Sequence, residues 1–519
     1  MTQVVVTIVF VILLLITCLA GWTWLELFSF CCRREHNSRQ TGPAHAFLMG
    51  TAMLGLLGYL LLGVFGRITP LTYWLLFGLQ WVLAIPGLWL ASRWWQRQKR
   101  WSWPLGILFL IWAGVLAAYA GQLPLLGYDA RAIYGLKGKI LANGASVWGA
   151  DFRDPYRLHF GSNYPLLIPI VESFFFQIRF LFDSRNPWSD SGLPLLFWAF
   201  VVAGTALVAE GSQRFANGWG FFAGFIWALT PIVWRWTEGA GLSGSVDIPF
   251  AVFTAAAVIC TADGWATRNC AQLLLGGIYF GTSTLIKQEG NIALGIMIVA
   301  VFVTIFYQRI CGKPTQQTSR LTHHLVPSFP MMAIFLAGLI PFLAISRWIH
   351  AAMPQQVYMR SYLSAISWEW LAQIGDRPLV VLSFALKEFT GNHWGAVWFY
   401  LAFTLLMRRK RPVEVPLQFL RTFLLLLLMS YLGILVITPY PLAYHLHTAW
   451  ARLVSHVLPL VVVVLVEQLA ATEWFADMNA AIAEYSDGGQ RTIHDHPADG
   501  QNFLQNPRSG VSDSEKAGG

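Results

Sequence analysis

Long apolar runs separated by short polar connectors dominate this chain. They lie near residues 3–22, 45–66, 70–91, 103–121, 165–183, 191–210, 218–236, 248–262, 271–286, 290–308, 329–346, 393–407, 417–437 and 453–470. Most approach the roughly 17–25 residues that a helix needs to cross a bilayer. Only helices or closed barrels satisfy every backbone group in lipid. The runs are continuous rather than alternating, which selects helices over barrel strands. The pattern therefore predicts an all-α, polytopic transmembrane bundle of about 13 spans, within a range of about 12–14. Residues 1–102 read as N-terminal spans, and 103–475 as a larger membrane domain with outer loops at 121–164 and 347–392. The first of these loops is expected to carry outward-facing juxtamembrane helices. Residues 476–519, rich in Gly, Asp, Ser, Asn and Gln, read as a disordered cytoplasmic tail. The opening run lacks a basic leader and a small-residue cleavage site, so it reads as a first span rather than a signal peptide.

Composition supports the same class. The chain is 56% hydrophobic and 12% charged, against about 25% charged in a soluble domain. The net charge of +9 comes from bases scattered between apolar runs. That placement fits cytoplasmic loops facing anionic lipid and argues against a nucleic-acid partner. The six cysteines show no metal-ligand spacing and imply no redox role. No carboxylate cluster demands a divalent cation, and the use of one is left open.

Loop charge sets an expected topology. Arg33-Arg34, the RWWQRQKR connector at 93–100 and the RRKR connector at 408–411 are strongly basic, and 309–324 is moderately so. These four are expected inside, which places 121–164 outside. Six apolar runs separate that loop from 309–324, where an odd number of crossings is needed. The pair within 191–236 is expected to supply a single crossing, which would bring Asp247 and the Lys287-Gln288-Glu289 segment to the same face as Asp129. The setting reads as a multi-pass membrane protein, on balance a bacterial inner membrane with a periplasmic site.

The 121–164 loop holds the densest candidate chemistry. It carries Arg131, Lys137, Lys139, Arg153 and Arg157 although it is expected outside; a phosphate-bearing ligand would explain that exception. Asp129 precedes a helical pattern at Ile133, Leu136 and Ile140. It reads either as an N-cap or as a general base at the mouth of a membrane site. Lys137 and Lys139 could bind phosphate or simply form an exposed helix face. Arg452 could do the same or anchor the interface. Asp247 precedes Ile248-Pro249 and could cap a helix or orient an acceptor. His159, Tyr164, Lys287 and Glu289 are candidate site-lining groups, and His445 a candidate partner for the donor. Glu172 lies within an apolar run, where pairing or cavity lining is expected. Pro165 suits the first turn of a helix.

Several motifs carry a family resemblance. Tyr128-Asp129, Tyr134, Lys137, Lys139, His159 and Tyr164-Pro165-Leu166-Leu167-Ile168-Pro169 occur in that order. Ser245-Val246-Asp247-Ile248-Pro249, Lys287-Gln288-Glu289-Gly290 and Thr438-Pro439 through His445, His447 and Arg452 follow. Together, over about 120 to 460, they resemble bacterial GT-C membrane glycosyltransferases related to protein O-mannosyltransferases and the aminoarabinose transferase of lipid A. The resemblance implies transfer of a sugar, with inversion, from a polyprenyl-phosphate donor to a glycan, lipid or protein acceptor. It implies Asp129 as the base, and Lys137, Lys139, His445 and Arg452 around the phosphate. The chain departs from the mannosyltransferase pattern at Asp129-Ala130, where a second acidic residue would stand.

Three other readings stay open. A flippase for a lipid-linked saccharide would place charge near mid-membrane and show repeated halves. A ligase using a lipid diphosphate would lean on Arg and His. A structural subunit would not need Asp129, Asp247 and Lys287 on one side.

Overall fold

The computed structural model describes residues 2–32, 42–97, 103–153, 164–216, 218–311, 329–351, 374–410 and 412–473. Among them the regular structure is helical, apart from one isolated bridge between Arg409 and Thr472. The helices are α1 Thr2–Cys31, α2 Pro43–Phe65, α3 Pro70–Arg97, α4 Trp103–Ala120, α5 Leu136–Ala142, α6 Ala150–Arg153, α7 Leu167–Phe182, α8 Pro194–Phe215, α9 Gly220–Leu229 and α10 Pro231–Trp234. They continue as α11 Asp247–Thr267, α12 Cys270–Thr284, α13 Glu289–Cys311, α14 Phe329–Ala351, α15 Arg377–Phe389, α16 Val397–Leu406, α17 Val415–Val436, α18 Leu442–Ser455 and α19 Leu458–Ala470.

Eight helices (α1, α2, α3, α8, α11, α13, α14 and α17) are long and apolar enough to cross a membrane. The pair α18–α19, bent by 55°, would make nine. A helical, multi-pass membrane architecture is thus upheld in outline, but length and composition do not reach the expected count of about 13. The remaining apolar runs form shorter helices: Gly106–Ala120 within α4, then α9 and α16, and the 15-residue α12. The tail from 476, and residues 352–373 of the expected 347–392 loop, lie outside the described residues.

Small residues let the first helices pack closely. A Cβ on Gly21 would lie 1.7 Å from Ala46 O, and one on Gly50 would lie 1.9 Å from Thr17 O. Such close approach of backbones is how helices associate where lipid removes the hydrophobic drive. α2 begins with Pro43 in its first turn and stops at Gly66, whose left-handed φ of 72° turns its N–H back to Leu62 O. α11 is buried along its whole apolar length, packed among α8, α12 and α17.

Several of the described polar connectors meet at one end of the bundle. Gln3 Nε2 donates to Gly121 O and Ser191 O, both at 3.0 Å. Val147 N–H donates to Gly66 O at 2.7 Å, and Leu126 N–H to Ser243 O at 2.9 Å. These contacts overturn the expected topology of 165–236 in two ways. First, α9 runs back alongside α8, from Gln213 past Val201, and Trp236 Nε1 then donates to Pro124 O at 2.9 Å. The two runs within 191–236 therefore go out and return. Second, α7 has both ends tied to connectors of the same end. Leu167 N–H donates to Leu285 O at 3.0 Å, and Arg179 Nη2 donates to Ser191 O at 2.8 Å. The run at 165–183 lies across the bundle rather than through it.

Candidate active site

Asp129 opens a π-helical turn, Asp129–Gly135, that leads directly into α5. Such turns are rare and concentrate at functional sites. The N-cap position falls on Tyr128, and no side chain caps the turn. The capping reading of Asp129 is therefore set aside: its Oδ2 pairs with Arg452 Nη2 at 2.6 Å, and its side chain is 30% exposed. Asp247 likewise does not cap α11, where Val246 holds the N-cap position. It is fully buried and takes four partners. Oδ1 accepts from Lys287 Nζ at 2.6 Å and from His456 Nε2 at 2.8 Å. Oδ2 accepts from Arg452 Nε at 2.9 Å and from the Ser245 hydroxyl. Lys287 also pairs with Glu289 Oε1 at 3.1 Å.

The arrangement is one connected network. Arg452, on the last turn of α18, bridges a buried carboxylate and a half-exposed one. His456 sits at the bend between α18 and α19, with Tyr431 OH 3.0 Å from its Nδ1. A neutral ring protonated on Nε2 satisfies both neighbours: Nδ1 accepts from Tyr431 and Nε2 donates to Asp247. Lys287 Nζ lies 3.4 Å from the same Nε2, a donor facing a donor. With that tautomer, three carboxylates (Asp129, Asp247, Glu289) face two cations (Lys287, Arg452), and the cluster carries a net charge of −1. Burial alone would depress the Lys287 ammonium, but Asp247 and Glu289 outweigh it and hold its pKa above the usual lysine value.

The mouth of the cluster is shaped by the connector between α10 and α11. Gly239, with φ of 80°, lies against Arg452, where a Cβ would sit 3.1 Å from Cγ. Its neighbour Glu238 accepts the Tyr128 N–H at 3.3 Å, one residue before Asp129. Tyr164 is pushed up to about 12 by burial and by the charges of Glu289 and Asp129, which outweigh Lys287 and Arg452. The Tyr134 ring meets the Tyr164 ring edge-on at 6.0 Å, and the buried Tyr134 hydroxyl has no hydrogen-bond partner among the described residues.

Of the residues singled out in the sequence, Asp129, Asp247, Lys287, Glu289 and Arg452 converge here, with Tyr164 beside them. Others do not join. Lys137 is fully buried and donates to Tyr164 O at 2.8 Å; burial pulls its pKa down to about 7. It is not on an exposed helix face, and it ties α5 to Tyr164, just before α7. Lys139 lies over the Phe176 ring at 5.4 Å. His445 bonds Thr438 Oγ1 at 2.6 Å and meets the Tyr440 ring edge-on. His159 lies outside the described residues. Pro165 stands two residues before the first residue of α7 rather than within its first turn. Glu172 is fully buried with neither carboxylate oxygen hydrogen-bonded among the described residues.

Sequence reasoning missed His456, Tyr431 and Glu238. His456 was readable in principle, because a Ser-His pair shortly before Pro459 interrupts an apolar run, and an ionisable residue inside such a run marks function. No group of three or more His, Cys, Asp or Glu side chains among the described residues is arranged to hold a metal ion.

A second polar cluster lies at the start of α2 and toward the other ends of α8 and α11, with Tyr279 of α12 beside it. Glu210 accepts the N–H groups of Gly42 and Ala44 at the start of α2. His45 Nε2 lies 3.9 Å from Glu210, and its Nδ1 lies 3.3 Å from Tyr279 OH. Arg214 pairs with Asp263.

No protein-family model, characterised protein or solved structure matches this chain.

Proposed function

We propose that the chain is an integral-membrane glycosyltransferase. It moves a sugar from a polyprenyl-phosphate donor to a glycan, lipid or protein acceptor. Its site faces the periplasm of a bacterial inner membrane, and the chain passes the bilayer about 13 times once the shorter helices α4, α9, α12, α16 and α19 are counted as crossings. The observation that carries this reading is the Arg452 bridge between half-exposed Asp129 and buried Asp247. It sets a carboxylate fit for a base beside a guanidinium fit for a leaving phosphate.

In the reaction, Asp129 accepts the proton of an acceptor hydroxyl. The acceptor oxygen bonds to the sugar C1 while the C1–O bond to phosphate breaks. The bonding pair leaves on the polyprenyl phosphate, whose growing charge Arg452 stabilises. Asp247, held by Lys287 and His456, fixes Arg452 and stays out of contact with the reacting atoms.

The test is transfer of labelled sugar from polyprenyl-phosphate donors in membranes containing wild type or Asp129→Asn at matched expression. Loss of transfer in a folded variant supports the reading. Equal transfer in both removes Asp129 from the chemistry. No transfer by wild type with any donor moves the assignment to a flippase or to a ligase built on Arg452 and His456.

A further inference from the structure

The Asp129 carboxylate occupies the place on Arg452 where a phosphate would bind. We infer that the protein carries a phosphodiester site masked by its own base, and that the donor phosphate displaces Asp129 from Arg452 and thereby frees it to act. This inference rests on the transferase reading.

The two ends of the Arg452 bridge differ in how firmly they are held. Asp247 is fully buried and gripped by Lys287, His456 and Ser245 besides Arg452. Asp129 has 30% of its side chain exposed and sits on a π-helical turn, flanked by Gly127 and Gly135. An incoming anion competes for the looser partner. Charge favours exchange over addition. The cluster already holds one more carboxylate than cation, so a phosphodiester joining it with Asp129 in place would bring three anions onto one guanidinium. A swap of one monoanion for another leaves the balance unchanged. Arg presents a fork suited to phosphate as well as carboxylate. The buried Tyr134 hydroxyl, without a partner among the described residues, belongs to the same π-helical turn as Asp129.

The consequence is an order of events. The base is unmasked only when donor is present, so acceptor protons are not taken up in its absence. After transfer, Asp129 carries the acceptor proton and the phosphomonoester holds Arg452. Loss of that proton to water restores the Asp129 charge, and re-formation of the ion pair drives product out.

The decisive measurement is binding of a polyprenyl monophosphate to purified protein in nanodiscs, with the uncharged polyprenol as control. Asp129→Asn removes the internal competitor without changing its size. It is expected to bind the phosphate roughly three- to fivefold more tightly than wild type at low salt, the scale of one partly exposed ion pair. That gain is expected to shrink as salt rises, and polyprenol binding is expected to stay the same. Arg452→Lys keeps a charge but loses the fork, and is expected to bind phosphate more weakly and to erase the effect of Asp129→Asn. Equal or weaker phosphate binding by folded Asp129→Asn overturns the inference. If transfer is lost in Asp129→Asn but phosphate binding does not tighten, the transferase reading survives and the masked site falls. If binding tightens but wild type transfers no sugar, the masked site stands and the transferase reading falls.

Discussion

The two polar clusters toward opposite ends of α8 and α11 are built from similar residues and differ in what they join. At one end, Glu210 closes the first turn of α2 and Arg214 meets Asp263, helix against helix. At the other, Asp247 collects Lys287 and Ser245 from connectors, Arg452 from α18 and His456 from a bend, and reaches Asp129 on a loop. The first cluster ends in helix termini and pairs that complete packing. Exposure does not separate the two, since Glu210 and Arg214 are themselves 23% and 21% exposed. The second cluster differs in joining two carboxylates, one buried and one 30% exposed, through a single guanidinium.

Mutations can break this contrast. The largest effect is expected from Asp247→Ala, which strands Lys287 and Arg452 as buried charges with one fewer partner each. It should cost about 3–5 kcal/mol, read as a drop in the unfolding midpoint in detergent. Asp129→Asn should instead cut transfer by about 100-fold or more while the same melt moves little. A melt as poor as that of Asp247→Ala would show that Asp129 is part of the scaffold. His456→Phe removes the donor to Asp247 and leaves the Tyr431 hydroxyl unpaired. A loss of about 1–3 kcal/mol is expected, together with a larger fall in kcat than in affinity for donor. Glu210→Ala, in the opposite cluster, should cost about 1–2 kcal/mol and leave transfer per folded molecule unchanged. A loss of transfer there would join the two clusters into one functional unit.

Much of the site was legible because ionisable residues at the edges of apolar runs have few roles open to them. Asp129, Asp247, Lys287, Glu289 and Arg452 all stand at such edges and all converge. What the sequence left ambiguous was resolved by partners far away along the chain. Asp129 and Asp247 cap no helix but pair with Arg452, more than 200 residues distant from Asp247. Lys137 looked solvated because a lysine usually lies on an open helix face, yet α7 packs over α5. That same helix explains the topological error. An apolar run of this length cannot reveal whether it passes through a bundle or lies across one, since either position buries it. Helix lengths were the least legible feature, because apolar runs continue into connectors that the fold turns aside.

α9, α16 and α19 pack side by side and are the short members of the bundle. Ten-residue helices are about 15 Å long and a thirteen-residue helix about 20 Å, against a hydrocarbon layer of about 30 Å. A wall that low meets a bilayer that must compress or curve down to it, at a cost of a fraction of a kcal/mol per Å. The dip would form where α19 rises to His456 and Arg452. On the transferase proposal, a leaflet thinned in this way would bring a headgroup down to the cluster, and longer acyl chains are expected to slow transfer.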